Sequence, residues 1–319
     1  MNNIVVSSSP HLRTTDNLKR VMYDVVIALL PAAVISAVFF GPHALMLMII
    51  AVATAVLTEA LCLKIAGKSN IRQTALDGSA VVAGLLLAFN LPPTAPWWTA
   101  VIGSLVAIAI AKHTFGGLGY NLFNPALVGR VFLLISFPVQ MTYWTLPTFW
   151  QTDAVAAATP LGALKTDGLE AAQAFTTQGN FLGTIPGCLG EVSAVALLVG
   201  AAYLLIRKVI TWEIPVCFIG TLAVFTGIFY LVDPGKYADP LFHIVSGGVM
   251  LGALFMATDM VTSPLTRKGQ IIFGIGCGLI TGIIRLFGGY PEGVAFAILL
   301  MNAAVPLIDR HTEVKKFGV

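Results

Sequence analysis

The chain is poor in charge. Only 10% of its 319 residues are Asp, Glu, Lys or Arg, and 57% are hydrophobic. A water-soluble domain of this size would carry roughly 25% charged residues. Water is therefore not its main solvent, and the composition points to an integral membrane protein. Cysteine is scarce too. Cys62, Cys188, Cys217 and Cys277 stand apart, with no C-x-x-C pair. That excludes a zinc site or an iron–sulfur cluster built from this chain alone, and no metal site is expected. Isolated cysteines of this kind read as buried apolar residues. No glycine-rich nucleotide-binding fingerprint is present. The net charge of +3 offers nothing for nucleic acid. No signal peptide is apparent: the first apolar run starts only after about twenty residues and is long enough to span a bilayer.

What is there is a series of ten apolar runs, at about 21–40, 43–63, 75–90, 97–111, 126–140, 190–206, 213–232, 241–258, 270–286 and 292–308. Each reads as a membrane-spanning helix, although several lie at the short end of the ~17–25 residues a span needs. The third, fifth and eighth are short and interrupted by glycine, as broken or re-entrant helices are. The expected fold is all-α, with a first five-span unit in 1–140, a polar loop over 141–188 and a second five-span unit in 189–319.

Charge fixes the expected orientation. With the N-terminus in the cytoplasm, the inner segments receive Arg13, Lys19, Arg20, Lys64, Lys68, Arg72, Lys112, Arg207, Lys208, Arg267, Lys268, Arg310, Lys315 and Lys316. The outer side receives Lys165, Lys236 and Arg285, and Arg130 lies inside the fifth run. The positive-inside rule then puts both termini in the cytoplasm and the 141–188 loop outside.

The two halves resemble each other. Gly78-Ser79-Ala80-Val81-Val82-Ala83-Gly84-Leu85 parallels Gly247-Gly248-Val249-Met250-Leu251-Gly252-Ala253-Leu254. A proline-containing turn follows each, then one more span, then Phe-Gly-Gly at Phe115-Gly116-Gly117 and Phe287-Gly288-Gly289. Five spans is an odd number, so the second half enters from the opposite side and the repeat is inverted. Inverted repeats place functional sites at their interface, among irregular helices. The G-x-x-x-G runs at Gly248/Gly252 and Gly274/Gly278/Gly282 let helices approach closely, within the chain or against partner subunits.

Several titratable residues lie near span ends: Asp24, Glu59, Asp77, Glu191, Glu213 and Asp259, with Arg130 and Arg285. Intramembrane charges are functional candidates. Asp24, Glu59 and Glu213 read as residues at the water interface. Asp77 and Asp259 fall in the repeat-related irregular regions and, with Arg130, are the candidates for an ion pathway.

Four stretches carry a family resemblance: Asp77-Gly78-Ser79 through Asn90-Leu91-Pro92-Pro93; Gly116-Gly117-Leu118-Gly119-Tyr120-Asn121-Leu122-Phe123-Asn124-Pro125-Ala126; Ala257-Thr258-Asp259 through Thr266-Arg267-Lys268-Gly269; and Gly288-Gly289-Tyr290-Pro291-Glu292-Gly293 through Asp309. With Ser9-Pro10-His11, the chain resembles the D-type membrane subunit of the Rnf ion-translocating ferredoxin:NAD oxidoreductase. Its sister family is the B-type membrane subunit of the sodium-translocating NADH:quinone oxidoreductase. The resemblance covers nearly the whole chain. It implies a multi-pass subunit of a bacterial or archaeal plasma membrane translocase, inactive alone, working with the other Rnf subunits and coupled to Na+ or H+ movement.

The resemblance also implies cofactors. In that family a flavin transferase joins FMN through its phosphate to a threonine, in the pattern Asp, two residues, Ser/Thr, Gly, Ala, Thr. Here Asp153 and Ala158-Thr159 match, so Thr159 is the expected attachment site. Ala156 and Ala157 replace the Ser/Thr and Gly positions, and both are small enough for a transferase to approach. Trp144, Phe149 and Trp150 are stacking or membrane-belt candidates in the same loop. In the sister family the Asn121-x-x-Asn124-Pro125 turn borders a second flavin, riboflavin. Amides donate and accept, which suits a flavin edge; capping of the fifth helix by Asn124 is the other reading. Two functions of other classes compete with a redox role: a permease built on inverted repeats, and a scaffold that only holds partners.

Overall fold

A computed structural model describes residues 17–147, 149, 155–173, 175, 177–191 and 193–312. All ten apolar runs fall on helix. α1 (Leu18–Phe40) starts where Asn17 caps the Arg20 N–H at 2.9 Å, and it stops at Gly41, whose φ of 76° a side chain would resist. Pro42 then opens α2 (Pro42–Ile65), its missing N–H harmless in a first turn. α3 (Ser79–Phe89), α4 (Trp97–His113) and α5 (Pro125–Ser136) complete the first half. The loop carries α6 (Pro160–Thr166). The second half holds α7 (Ala194–Ile206), α8 (Glu213–Val232), α9 (Pro240–Val245), α10 (Val249–Leu251, continued by the π-helical Gly252–Met256), α11 (Arg267–Phe287) and α12 (Val294–His311). α1, α2, α8, α11 and α12 are long and apolar enough to cross a membrane.

The shorter segments are the irregular ones. α3, with 11 residues, spans roughly 16 Å at the helical rise, half a hydrocarbon core. α4 turns π-helical over Val106–His113. Two of the runs expected to be broken or re-entrant are interrupted. The fifth stops at Ser136 because Pro138 cannot continue its ladder. The eighth divides at Ser246-Gly247-Gly248, where Gly247 has a φ of 69°.

α2 lies against α3 and α4, and α8 lies against α11. The halves meet where α1 packs on α7 and α5 on α12. The α8–α11 contact rests on the glycine run: a Cβ at Gly278 would lie 2.5 Å from the Phe218 carbonyl oxygen. That run is thus spent inside the chain.

Two expectations need correction. Asp24, Glu59 and Glu213 are buried rather than water-facing. Their helix ends are covered by neighbouring helices, and a buried carboxylate requires a partner. Asp24 accepts from Tyr203 at 2.9 Å and Arg207 at 3.1 Å, Glu59 from Lys112 at 2.6 Å, and Glu213 lies 3.5 Å from Arg267. Lys112, counted with the inner connectors, is itself buried. Among the cysteines, Cys188 and Cys277 are buried, but Cys62 and Cys217 sit half-buried on partly outward faces of α2 and α8.

Candidate functional site: two cavities, one near each end of the bundle

The first cavity, of about 650 Å³, lies beneath the 141–188 loop and is lined by Asn90, Arg130, Trp144, Thr159, Glu191 and Glu292 among others. Thr159 has extended backbone and caps α6, its Oγ1 accepting from the Gly162 N–H at 3.1 Å. Pro160 behind it occupies the first helical position. Arg130, buried on α5, holds the cavity floor. Its Nη1 donates to Asn90 Oδ1 and its Nη2 to Glu292 Oε2, each at 2.5 Å. Glu292 also accepts from the Gly248 N–H, and Glu191 accepts from the Cys188 N–H at 3.2 Å. One guanidinium thus joins the end of α3 to the turn before α12, across the two halves.

The two carboxyls of this cavity diverge. Burial, reinforced by the negative charge of Glu292, pushes Glu191 up to about 8. Burial would raise Glu292 too, but Arg130 and Arg285 outweigh it and hold Glu292 below the usual range. Near neutral pH the cavity therefore contains a guanidinium, a carboxylate and a carboxylic acid. Such a set has the chemistry to hold a polar ligand with one exchangeable proton beside it.

The second cavity, of about 740 Å³, lies at the opposite end, and Ser79, Lys112, Asn121, Asn124 and Asp259 are in its wall. Asn124 caps α5, accepting from Ala126 N–H at 3.1 Å and Leu127 N–H at 3.3 Å, and donates to the Met256 carbonyl at 3.2 Å. Asn121 donates to the Phe123 carbonyl at 3.2 Å, but its buried Oδ1 makes no hydrogen bond among the described residues. Lys112 Nζ donates to both Glu59 oxygens, at 2.6 and 2.7 Å, and to Ser79 Oγ at 2.7 Å. Asp259 accepts from Val261 N–H and Thr262 Oγ1, while burial pushes its carboxyl up against those bonds.

The sequence-predicted residues therefore divide between two sites. Thr159 and Arg130 share the first; Asn121, Asn124 and Asp259 share the second. The capping role of Asn124 and its place in the cavity wall both hold. Asp77 lines neither cavity; it accepts from Ser79 N–H at 2.8 Å and Ser79 Oγ at 2.5 Å. Ala158 is exposed. Trp144 lines the first cavity, Phe149 packs on Phe39 with ring centroids 4.8 Å apart, and Asp153 and Trp150 lie outside the described residues. Sequence reasoning did not assign site roles to Asn90, Glu292 or Lys112. The signal for Lys112 was present: a cation closing the apolar run of α4.

A family model described as the NQR2, RnfD, RnfE family matches residues 5–318. The chain belongs to this family. It is 50% identical over 317 residues, 99% of this chain and 96% of the other, to an Acetobacterium woodii protein. That protein is named as the D-type subunit of a Na(+)-translocating ferredoxin:NAD(+) oxidoreductase complex. The chain is 48% identical over 323 residues, 99% of this chain and 97% of the other, to a Clostridium ljungdahlii protein. There the name is the D-type subunit of a proton-translocating ferredoxin:NAD(+) oxidoreductase complex. A Halorhodospira halophila protein, named as the D-type subunit of an ion-translocating oxidoreductase complex, is 43% identical, covering 98% of this chain and 94% of the other.

Proposed function

We propose that this chain is a membrane flavoprotein subunit of an ion-translocating ferredoxin:NAD oxidoreductase complex. FMN is esterified to Thr159 in the first cavity by a flavin transferase, and a second, non-covalent flavin, riboflavin, sits in the other. The names and coverage of the three relatives support the complex. The observation that carries the flavin reading is the placement of the Thr159 hydroxyl at the wall of a cavity lined by Asn90, Arg130, Glu191 and Glu292. In the second cavity, the unpartnered Asn121 Oδ1 is an acceptor for a ring N–H.

Flavins, when bound, supply one- and two-electron transfer. The rest is the work of this chain. Thr159 tethers, and a tether holds the local concentration high without equilibrium affinity. Arg130 presents positive charge, which favours electron-rich groups nearby. Glu191 holds a proton near neutral pH, beside the ionised Glu292. Asn121 and Asn124 orient a ring edge at the opposite end. The ten helical runs, in two inverted halves with cytoplasmic termini, put one cavity near each membrane face, so electrons cross the bilayer within this chain. Ferredoxin and NAD meet other subunits. Two relatives of similar identity carry different ions in their names, so the coupling ion is proposed as Na+ or H+, with Asp77, Asp259 and Arg130 as the pathway candidates.

In-gel flavin fluorescence of the complex tests the reading. A fluorescent band at this chain's mass in wild type, absent in Thr159→Ala, is expected. A band that persists in Thr159→Ala removes Thr159 as the attachment site. No band from native membranes removes the covalent flavin and favours a permease or scaffold.

A further inference from the structure

Cations on the outer side are disfavoured by the positive-inside rule. The three assigned there, Lys165, Lys236 and Arg285, all line one further cavity, of about 700 Å³, together with His243. It shares Leu161 and Pro291 with the Thr159 cavity but does not include Thr159. No Asp or Glu is in its wall.

The cations are held in place by carbonyls and a ring, not by acids. Lys165 Nζ donates to the carbonyls of Ile284, Arg285 and Tyr290, at 3.3, 3.3 and 3.0 Å. Arg285 donates to the carbonyls of His243 and Ser246, at 2.5 and 3.0 Å. Lys236 Nζ stands 5.4 Å from the Tyr237 ring centre. Glu191 and Glu292 act on Arg285 from the Thr159 side, yet none of the three cations forms an ion pair among the described residues. Two kinds of buried nitrogen are also left over. Arg285 Nε and both ring nitrogens of His243 make no hydrogen bond among the described residues, although His243 is 1% exposed. In either tautomer one His243 nitrogen is a donor, and Arg285 Nε is always one. Buried donors without partners are costly.

Three cations and unpartnered donors around a concave space, with no acid in the wall, match a compact multi-oxygen anion. We propose that this cavity binds a phosphate group. The two sources of that chemistry are the phosphodiester of an anionic lipid headgroup and a soluble phosphate. The flanking Leu161, Leu164 and Leu286 suit the upper part of an acyl chain. The proposal is independent of the flavins.

The test uses the detergent-purified, delipidated complex. Its thermal midpoint is followed while adding phosphatidylglycerol, phosphatidylcholine or inorganic phosphate. A rise with phosphatidylglycerol alone supports a lipid source, and an equal rise with inorganic phosphate supports a soluble one. In either case Lys165→Gln/Lys236→Gln should require about thirtyfold more ligand, from two charges each contributing on the order of 1 kcal/mol at about 1.4 kcal/mol per tenfold. No rise with either anion, or an unchanged response in the double variant, overturns the proposal. Native mass spectrometry of the unaltered complex asks the same without a substitution. A retained non-covalent phosphate-bearing ligand on this chain, counted apart from any flavin esterified to it, supports the proposal, and its absence after mild delipidation overturns it.

Discussion

Glu191 offers the sharpest expectation at the residue scale. Its folded value of about 8 lies well above the ordinary carboxyl range. Between the unfolded value and about 8 the folded state therefore binds the extra proton, so this group's contribution to stability falls as pH rises through that window. Glu191→Gln copies the protonated acid. It should leave stability near pH 4 nearly unchanged and remove the decline between 4.5 and about 8, so that the variant is the more stable of the two at neutral pH. Thermal midpoints of both proteins across that range check it, and parallel curves would remove Glu191 as the source. Glu292 differs. It is ionised and paired with Arg130 and the Gly248 N–H, so Glu292→Gln leaves a buried guanidinium uncompensated, a loss on the order of 3–5 kcal/mol. The same midpoint measurement should show Glu292→Gln far less stable than Glu191→Gln at neutral pH.

At the scale of elements, the bundle depends on backbones that touch. Gly278→Leu would drive a side chain into the Phe218 carbonyl of α8, since even a Cβ there would sit at 2.5 Å. Overpacking of this kind costs about 1–3 kcal/mol or more, and the variant should lose thermal stability and yield in membranes. Gly220→Ala on the facing helix has open space at its Cβ and should be neutral. These elements also show what was legible in the residues. α1, α2 and α8 are uninterrupted apolar runs flanked by Gly, Pro or Asp, and their ends appear within a few residues of where composition places them. The division of the eighth run into α9 and α10 was legible from its glycines, but not the residue at which the ladder is reset, Gly247. The pairs Glu59–Lys112 and Arg130–Glu292 were not legible either. Their partners lie 53 and 162 residues apart, and only the fold brings them together. Charge counting therefore sent Glu59 to the water interface and Lys112 to a connector.

At the scale of the whole molecule, the two cavities lie near opposite ends of the bundle. The proposed orientation has the C-terminus in the cytoplasm and the Thr159 loop outside. A C-terminal alkaline phosphatase fusion should then be inactive, while fluorescent protein at the same point should fold and emit. Active phosphatase would reverse the orientation and with it the outer placement of the Thr159 cavity. The proposed electron flow through the chain depends on one bond, between the Thr159 oxygen and the FMN phosphate. It is tested most directly by mass spectrometry of the peptide containing Thr159, from native assembled complex. The account predicts that peptide bearing FMN through a phosphoester on the Thr159 oxygen; recovery of only the unmodified peptide would contradict it.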